Sequence, residues 1–169
     1  MKRKYPLYSF FKFTLGLAFK FWYKPKIIDK ENIPKEGPII VAGNHIHLFD
    51  QCFPILATKR PINYMAKKEY FDNKKVAWFF KATGCIPVDR STKDKNAVNS
   101  ALEVLKRDGA IGIFPEGTRN KTEAFLLPFK FGAVSMAQKT NATIVPFAVT
   151  GDYKFRSKNL IARIGQPFK

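Results

Sequence analysis

The chain has 169 residues and a formal charge of +17, from 30 Lys and Arg against 13 Asp and Glu. This length suits one domain with a hydrophobic core, and the lysines scattered among its 46% hydrophobic residues exclude a protein with several membrane-spanning helices. The positive charge predicts an anionic partner, which by charge alone could be nucleic acid, an acidic membrane surface, an acidic carrier protein or a phosphorylated substrate.

We predict an amphipathic helix over residues 1–26, distinct from the rest of the chain. At about 100° per residue, one face holds its small and polar residues, Ser9, Lys12, Gly16, Lys20 and Lys24. Apolar side chains cover most of the remainder: Phe10, Phe11, Leu15, Leu17, Phe21 and Trp22. Lysines inside the segment make a membrane-spanning helix costly, so the pattern favours a helix lying in the membrane interface. The alternatives are a helix packed on the domain core and a signal peptide, although no small-residue cleavage site follows.

Short apolar runs alternate with helical patterns over residues 27–169. Buried strands are predicted over residues 38–43, 62–66, 85–88, 110–114 and 143–149, with a last strand and its exit in 160–169. Helices are predicted over 74–83, 94–109 and 130–140. This alternation predicts one α/β domain with a largely parallel twisted sheet flanked by helices. Ligands of such sheets usually bind at the carboxyl ends of the strands.

Both histidines of the chain, His45 and His47, follow the first of these strands, and Asp50 comes shortly after them. A neutral imidazole can accept a proton from a hydroxyl, and a carboxylate at its other nitrogen fixes the tautomer and stabilises the imidazolium. By this chemistry either histidine could be the base. One imidazole capping a turn, with the other on the surface, is the structural alternative. A metal site is disfavoured because further ligands are missing from the pattern.

Polar residues follow two further strands, and a proline interrupts another. Thr118 and Arg119, after a turn at Glu116, offer a hydroxyl and a guanidinium that suit an anion, although an exposed structural turn is the simpler alternative. Asp89–Arg90 could be an exposed salt bridge. Pro146 marks an edge or a bulge of a core strand.

Several other chemistries are disfavoured by missing motifs. The sequence has neither a Walker loop nor a G-x-S-x-G nucleophile elbow. Cys52 and Cys85 show neither C-x-x-C spacing nor a secreted disulfide pattern, so we expect reduced, half-buried thiols in a cytosolic setting.

The order of these motifs resembles that of a known family. N-H-x4-D, G-x-x-x-V-D-R, F-P-E-G-T-R and I-V-P-F-A-V follow one another between Asn44 and Val149. This series is similar to the four-block signature of the glycerolipid acyltransferases, most closely the bacterial 1-acyl-sn-glycerol-3-phosphate acyltransferases. His-x4-Asp alone is a weak pattern, but FPEGTR at this spacing makes the resemblance specific.

The resemblance implies a role for each matching residue. His45 would be the general base and Asp50 its orienting partner. The glycerol phosphate would be bound by Glu116, Gly117, Thr118 and Arg119, with help from Arg90 and Lys67. Pro146 and its neighbours would line the acyl-donor path.

The implied reaction is attack of the sn-2 hydroxyl of lysophosphatidic acid on a fatty acyl thioester, giving phosphatidic acid without an acyl-enzyme. Acyl-coenzyme A or acyl carrier protein would be the co-substrate, and no cofactor or metal is implied. The same blocks serve enzymes that acylate glycerol 3-phosphate or other lysolipids. Relatives usually continue past the last strand, so we expect a further C-terminal part to be missing after Lys169.

The resemblance also implies a cellular location and makes two alternative functions less favoured. Lipid substrates and an amphipathic helix imply a peripheral or monotopic protein at the cytoplasmic face of the cell membrane, in contact with anionic lipid. A nucleic-acid-binding module is the remote alternative, because no RRM, KH, zinc-finger or helix-turn-helix signature accompanies the positive charge. A catalytically inactive, membrane-binding relative is a third hypothesis, against which the complete motifs argue.

Overall fold

The computed structural model describes Tyr5 and residues 7–169; the basic start of the predicted N-terminal helix, at residues 1–4, lies outside the described residues. The helices are α1 (Tyr8–Tyr23), α2 (Cys52–Ala57), α3 (Glu69–Asp72), α4 (Ala77–Ala82), α5 (Lys95–Leu105) and α6 (Gly132–Thr140). The strands are β1 (Lys26–Ile28), β2 (Ile39–Gly43), β3 (Ile62–Lys67), β4 (Ile86–Val88), β5 (Ala110–Ile113), β6 (Thr143–Thr150) and β7 (Ile161–Ile164).

The strands form one seven-stranded sheet in the order β1-β7-β6-β2-β5-β3-β4, in which only β6 and β7 run antiparallel. This arrangement confirms the predicted α/β fold with a largely parallel sheet. The central strand β2 reads IIVAG and buries four of its five residues. Such continuous apolar runs are expected of parallel strands because helices cover both faces of the sheet.

The two faces of the sheet carry separate hydrophobic cores. On one face, α1 and α2 pack Phe19 and Phe53 against the sheet. On the other face, α5 and α6 pack Leu105 and Met136. The carboxyl ends of β2, β3, β4 and β5 share one edge because these strands are parallel neighbours. The predicted polar residues are therefore brought to the same end of the domain.

The predicted helices are present but shorter than expected. The helix predicted over 94–109 is α5, which begins after Asp94, whose side chain accepts a hydrogen bond of 3.0 Å from the Ala97 N–H. Sequence patterns missed β1, α2 and α3, which have three, six and four residues. Elements this short contain too few residues to display a hydrophobic period.

Pro146 lies in an inner strand, so the predicted edge position is wrong. β6 sits between β2 and β7. The bulge lies in the segment opposite β6 and not at Pro146 itself: pairing with β7 reaches Phe147 and Ile164 and resumes at Ile144 and Phe168, so residues 145–146 face residues 165–167. One additional residue therefore lies opposite the proline, which lacks an N–H for the ladder.

Helix α1 does not simply bury its apolar face and expose its polar face. Gly16 is buried, and a Cβ added there would lie 2.6 Å from the Leu56 side chain. The Lys12 ammonium donates to the Thr58 carbonyl oxygen. Part of the small and polar stripe therefore packs on the domain, while the apolar side chains of Phe10, Phe13, Leu17 and Phe21 are exposed. Among the described helices, none combines the length and the hydropathy needed to cross a bilayer.

Candidate functional site

His45 and Asp50 meet at the turn that follows β2. His45 Nδ1 lies 2.9 Å from Asp50 Oδ2, and the backbone N–H groups of Ile46 and His47 each donate to the same oxygen at 2.7 Å. The Tyr153 hydroxyl donates to Asp50 Oδ1 at 2.5 Å. Asp50 is fully buried, and these donors compensate for the loss of water around its carboxylate.

The contact with Asp50 sets the chemistry of the His45 ring. Nδ1 donates its proton to the carboxylate, which leaves the lone pair on Nε2 as the proton acceptor. The ring lies on Phe114, with centroids 3.9 Å apart and planes inclined by 9°. His45 also lines the large cavity described below. The imidazole therefore lines the cavity with Nε2 as the ring nitrogen left to accept a proton.

His47 occupies a different environment. Only its backbone N–H binds Asp50, while its imidazole stacks on Tyr153 with centroids 3.9 Å apart. Desolvation by burial lowers the pKa of His47, and the nearby Asp50 opposes this shift only in part. Its side chain does not line the cavity. The geometry therefore separates two histidines that residue chemistry alone left equivalent.

Glu116 binds backbone groups inside the protein, and its expected contact with a phosphate stays a prediction. Glu116 is buried; its Oε1 accepts from the His45 N–H at 2.8 Å and its Oε2 from the Leu127 N–H at 3.0 Å. Both carboxylate oxygens thus bind backbone within the protein, and Glu116 is absent from the cavity lining. Its contacts tie the turn of His45 to the loop after β5.

Gly117 allows that loop to turn. Its φ is +71°, and an added Cβ would lie 2.9 Å from the Lys130 side chain. The Gly117 N–H donates to the Phe114 carbonyl at 2.9 Å. Gly117 therefore shapes the loop that presents Thr118 and Arg119 to the cavity.

A cavity of about 770 Å³ opens beside His45, between α1 and the sheet. Apolar and aromatic side chains form most of its wall, including Phe11, Leu15, Leu56, Phe79 and Phe80. Its polar lining includes His45, Thr118 and five cationic side chains, those of Lys12, Lys67, Arg90, Arg119 and Lys121. The cavity thus combines an imidazole and several positive charges with a mainly apolar wall.

Pro146 is not brought to this cavity. Val145 and Phe147 on either side of it belong to the core beneath α1, whereas Ile144 belongs to the core beneath α6. Because side chains alternate along a strand, Pro146 faces the α6 side of the sheet. It is absent from the cavity lining, and its expected place on an acyl-donor path is not supported by this arrangement.

Tyr64 places a polar atom in an apolar wall of the cavity. Its hydroxyl is buried and has no hydrogen-bond partner within the described part of the chain. Burial raises the pKa of Tyr64 well above its usual value, so the hydroxyl stays protonated. No sequence motif marks Tyr64, because it lies mid-strand in β3.

Two further residues organise the site without having been predicted to do so. The Asn44 amide donates to the Val149 carbonyl at 2.9 Å and accepts from the Val149 N–H at 2.7 Å, which ties β2 to the end of β6. Tyr153 lies beyond the last sequence motif. Asn44 could have been noticed as the residue before His45, whereas no sequence pattern marks Tyr153.

Comparison with known proteins gives consistent matches. A family model described as Acyltransferase matches residues 24–150. The 1-acyl-sn-glycerol-3-phosphate acyltransferase of Bacillus subtilis (strain 168) is 33% identical over 147 residues, covering 84% of this chain and 72% of that protein. The enzyme of the same name from Borreliella burgdorferi is 33% identical over 141 residues, covering 82% of this chain and 56% of that protein.

A solved structure matches the fold. The crystal structure of the 1-acyl-sn-glycerophosphate acyltransferase from Thermotoga maritima superimposes with a TM-score of 0.78 and 24% sequence identity. The match covers 96% of this chain and 68% of that chain. The α/β architecture is therefore shared along nearly the whole sequence.

Proposed function

The chain belongs to the acyltransferase family, and from this premise we propose that it transfers a fatty acyl group from a thioester to the sn-2 hydroxyl of 1-acylglycerol 3-phosphate. The product is phosphatidic acid, and the role is in phospholipid biosynthesis. One observation carries the proposal: the Asp50-bound imidazole of His45 faces an apolar cavity that also presents cationic side chains. A base, an acyl-binding wall and a phosphate-binding group are the three parts that this reaction requires.

In the proposed mechanism His45 acts directly as general base. Its Nε2 accepts the proton of the sn-2 hydroxyl while that oxygen attacks the thioester carbonyl carbon. The C–O bond forms, the tetrahedral intermediate collapses, the C–S bond breaks, and the imidazolium returns the proton to the departing thiolate. Asp50 stabilises the imidazolium throughout. Such base catalysis contributes about 10² to 10⁴ in rate, and positioning supplies much of the remainder.

The cationic side chains at the cavity are proposed to hold the substrate phosphate. Arg119 suits this task because its guanidinium donates paired hydrogen bonds and keeps its charge. Arg90, Lys67 and the Thr118 hydroxyl line the same cavity, and Lys121 joins them. We assign Glu116 and Gly117 to shaping this loop, since their contacts lie within the protein.

The aromatic wall of the cavity is proposed to take the acyl chains of the lipid and the donor. Phe11, Leu15 and Leu56 come from α1 and α2, so the helix that covers this face of the sheet also completes the cavity. Burying an acyl chain against these side chains is favourable by about 0.8 kcal/mol per methylene. This contribution would favour a long-chain substrate over a short-chain one.

Exposed apolar side chains support peripheral or monotopic binding at the cytoplasmic face of the cell membrane. On α1, Phe13 is 71% exposed, with Phe10, Leu17 and Phe21 also facing outward. Beyond Lys121, at the cavity, Phe125 and Phe131 are 76% and 83% exposed. Aromatic side chains among lysines suit a surface of anionic lipid, and the lysophospholipid substrate resides in such a surface.

The decisive assay is thiol release with lysophosphatidic acid as acceptor and acyl-coenzyme A or acyl carrier protein as donor. Wild type should release thiol only with the acceptor present, with phosphatidic acid as the product, and His45→Ala should lose nearly all activity. Glycerol 3-phosphate and other lysolipids serve as alternative acceptors. Acceptor-dependent release with one of these alone would overturn the substrate assignment, and silence with every pair would overturn the proposed activity.

Membrane binding is tested separately by sedimentation with phosphatidylglycerol vesicles. Replacing Phe10, Phe13, Leu17 and Phe21 with Ser should move the folded protein from vesicles to the supernatant. A second variant replaces Phe125, Phe129 and Phe131 and tests the loop after Lys121 independently. Unchanged sedimentation of both variants would contradict the proposed membrane surface.

A further inference from the structure

We propose that Tyr153 is a positioning residue, which holds the Asp50 carboxylate and, through it, the imidazole of His45. The inference rests on the proposed function, because it assigns a role within the same site. Tyr153 lies in the segment 151–160 that joins β6 to β7, outside all four sequence motifs. Nothing in its sequence surroundings assigns it to a reaction.

The hydrogen bonds of Asp50 divide between its two oxygens. Oδ2 accepts from His45 Nδ1 and from the backbone N–H groups of Ile46 and His47. Oδ1 accepts from the Tyr153 hydroxyl at 2.5 Å, and no other donor within the described residues reaches it. Since Asp50 is fully buried, water is kept from replacing that donor. Tyr153 thereby holds the second oxygen of a carboxylate whose first oxygen is held by the turn of His45.

Tyr153 stays a donor over the working pH range. Desolvation by burial, followed by the adjacent Asp50 charge, raises its pKa far above the usual value. The phenol therefore keeps its proton, and the negative charge of the pair stays on the carboxylate. A charge-assisted O–H···O⁻ bond of this kind is short and strong.

The aromatic ring of Tyr153 is held on two sides. It stacks on His47 with centroids 3.9 Å apart, and the ring of Tyr23, at the end of α1, packs edge-on at 5.4 Å. The segment is also attached to α1 directly, because the Arg156 N–H donates to the Trp22 carbonyl at 2.6 Å and Phe155 packs on Trp22. The position of the hydroxyl is thus set by packing on His47 and on the end of α1.

Removing the hydroxyl has a specific consequence for the base. In Tyr153→Phe the Oδ1 atom loses its donor while the ring keeps its packing, so only the three bonds at Oδ2 still hold the carboxylate. The remaining charge is less stabilised by hydrogen bonding and attracts the imidazolium proton more strongly. Substrate contacts at Arg119 and the cavity wall are unchanged. The loss should therefore fall on kcat and on its pH dependence.

The test compares Tyr153→Phe with the matched control Tyr5→Phe, which removes a tyrosine hydroxyl away from the cavity lining. We expect kcat of Tyr153→Phe to fall about tenfold, with KM for lysophosphatidic acid within about twofold of wild type. The acid limb of its kcat/KM profile should move to higher pH. The control should resemble wild type in all three measurements.

A second readout does not depend on turnover. In proton NMR spectra the Nδ1–H of His45, bonded to Asp50, should give a downfield resonance that shifts or broadens in Tyr153→Phe and is unchanged in Tyr5→Phe. An unshifted resonance, or wild-type kcat with an unshifted pH profile, would overturn the inference. If wild type were inactive with every donor and acceptor, the proposed function would fail while this spectrum still tested the positioning role.

Discussion

The Phe114 ring lies parallel to the His45 imidazole, with the two centroids 3.9 Å apart. Phe114 is the residue that follows β5, whereas His45 follows β2. Pairing of these strands in the sheet therefore brings the aromatic ring beneath the proposed base. Together with the Asp50 hydrogen bond, this contact restricts both the plane and the rotation of the imidazole.

Replacing Phe114 with Leu should lower kcat while leaving the protein folded. Leucine keeps apolar contact but has no flat surface, so the imidazole gains freedom to tilt away from the reacting hydroxyl. A loss of about tenfold in kcat, with a smaller change in KM, is expected for a positioning contact of this kind. Steady-state kinetics and a thermal melt on the same preparation provide the check. Equal kcat values would show that the Asp50 bond alone orients His45.

The two histidines should respond differently to truncation. His45→Ala removes the proposed base and should lower kcat by about 10² to 10⁴. His47→Ala leaves its backbone N–H on Asp50 and should retain most of the activity. Thiol release by both variants, with circular dichroism to confirm folding, measures the difference. Equal losses would mean that the base has been assigned wrongly.

Substitutions at Glu116 and Arg119 should have different effects, the first on stability and the second on substrate binding. In Glu116→Gln an NH2 group replaces one carboxylate oxygen and cannot accept a hydrogen bond from a backbone N–H. The free energy of unfolding should therefore fall by about 1 to 3 kcal/mol. Arg119→Ala should raise KM for lysophosphatidic acid with little change in stability. Urea unfolding and substrate titration distinguish the two effects. A selective rise in KM for Glu116→Gln at unchanged stability would instead indicate that Glu116 contacts the substrate phosphate directly.

Tyr64→Phe should stabilise the protein. The Tyr64 hydroxyl is buried and has no partner among the described residues, and an unpaired buried hydroxyl costs about 1 to 3 kcal/mol. A phenylalanine ring preserves the packing on Gly112, where an added Cβ would already lie 2.5 Å from the Tyr64 ring. A higher midpoint in urea is the expected result. A lower midpoint would show that the hydroxyl has a partner in solution.

His47 should make stability depend on pH in mildly acidic solution. Burial holds its native pKa below the usual value of 6.5, so between the two values the unfolded chain binds more protons than the folded one. The contribution of His47 to the free energy of unfolding therefore decreases as pH falls from about 6.5 towards the native pKa. Below the native pKa it does not change further. The fall in Tm between pH 7.5 and 5.5 should be smaller for His47→Phe than for wild type. An identical fall would contradict this assignment.

The fold followed from sequence wherever an element was long and apolar. β2, β3, β5 and β6 were all predicted, because parallel strands covered on both faces form uninterrupted apolar runs. The one-turn helix α3 and the three-residue strand β1 contain no full period, so tertiary pairing alone defines them. The bulge opposite Pro146 likewise depends on a segment of chain about twenty residues away in sequence.

The site was only partly predictable for a related reason. Residue types and spacing drew attention to Asp50 and the two histidines, and the family resemblance selected His45, whose contact with Asp50 lies within one turn. Glu116 was placed at the phosphate by resemblance, yet its partners are backbone N–H groups that a sequence motif does not reveal. Tyr153 reaches Asp50 across 103 positions, and only the closed sheet brings them together.

The Asn44–Val149 pairing implies an order of events during folding. These residues are 105 positions apart, and the Glu116 contact with the His45 N–H spans 71. Contacts of such separation carry a large loop-closure cost and form slowly, after local helices have appeared. In a refolding experiment, catalytic competence should therefore return only in the last kinetic phase, well after the helical signal has recovered.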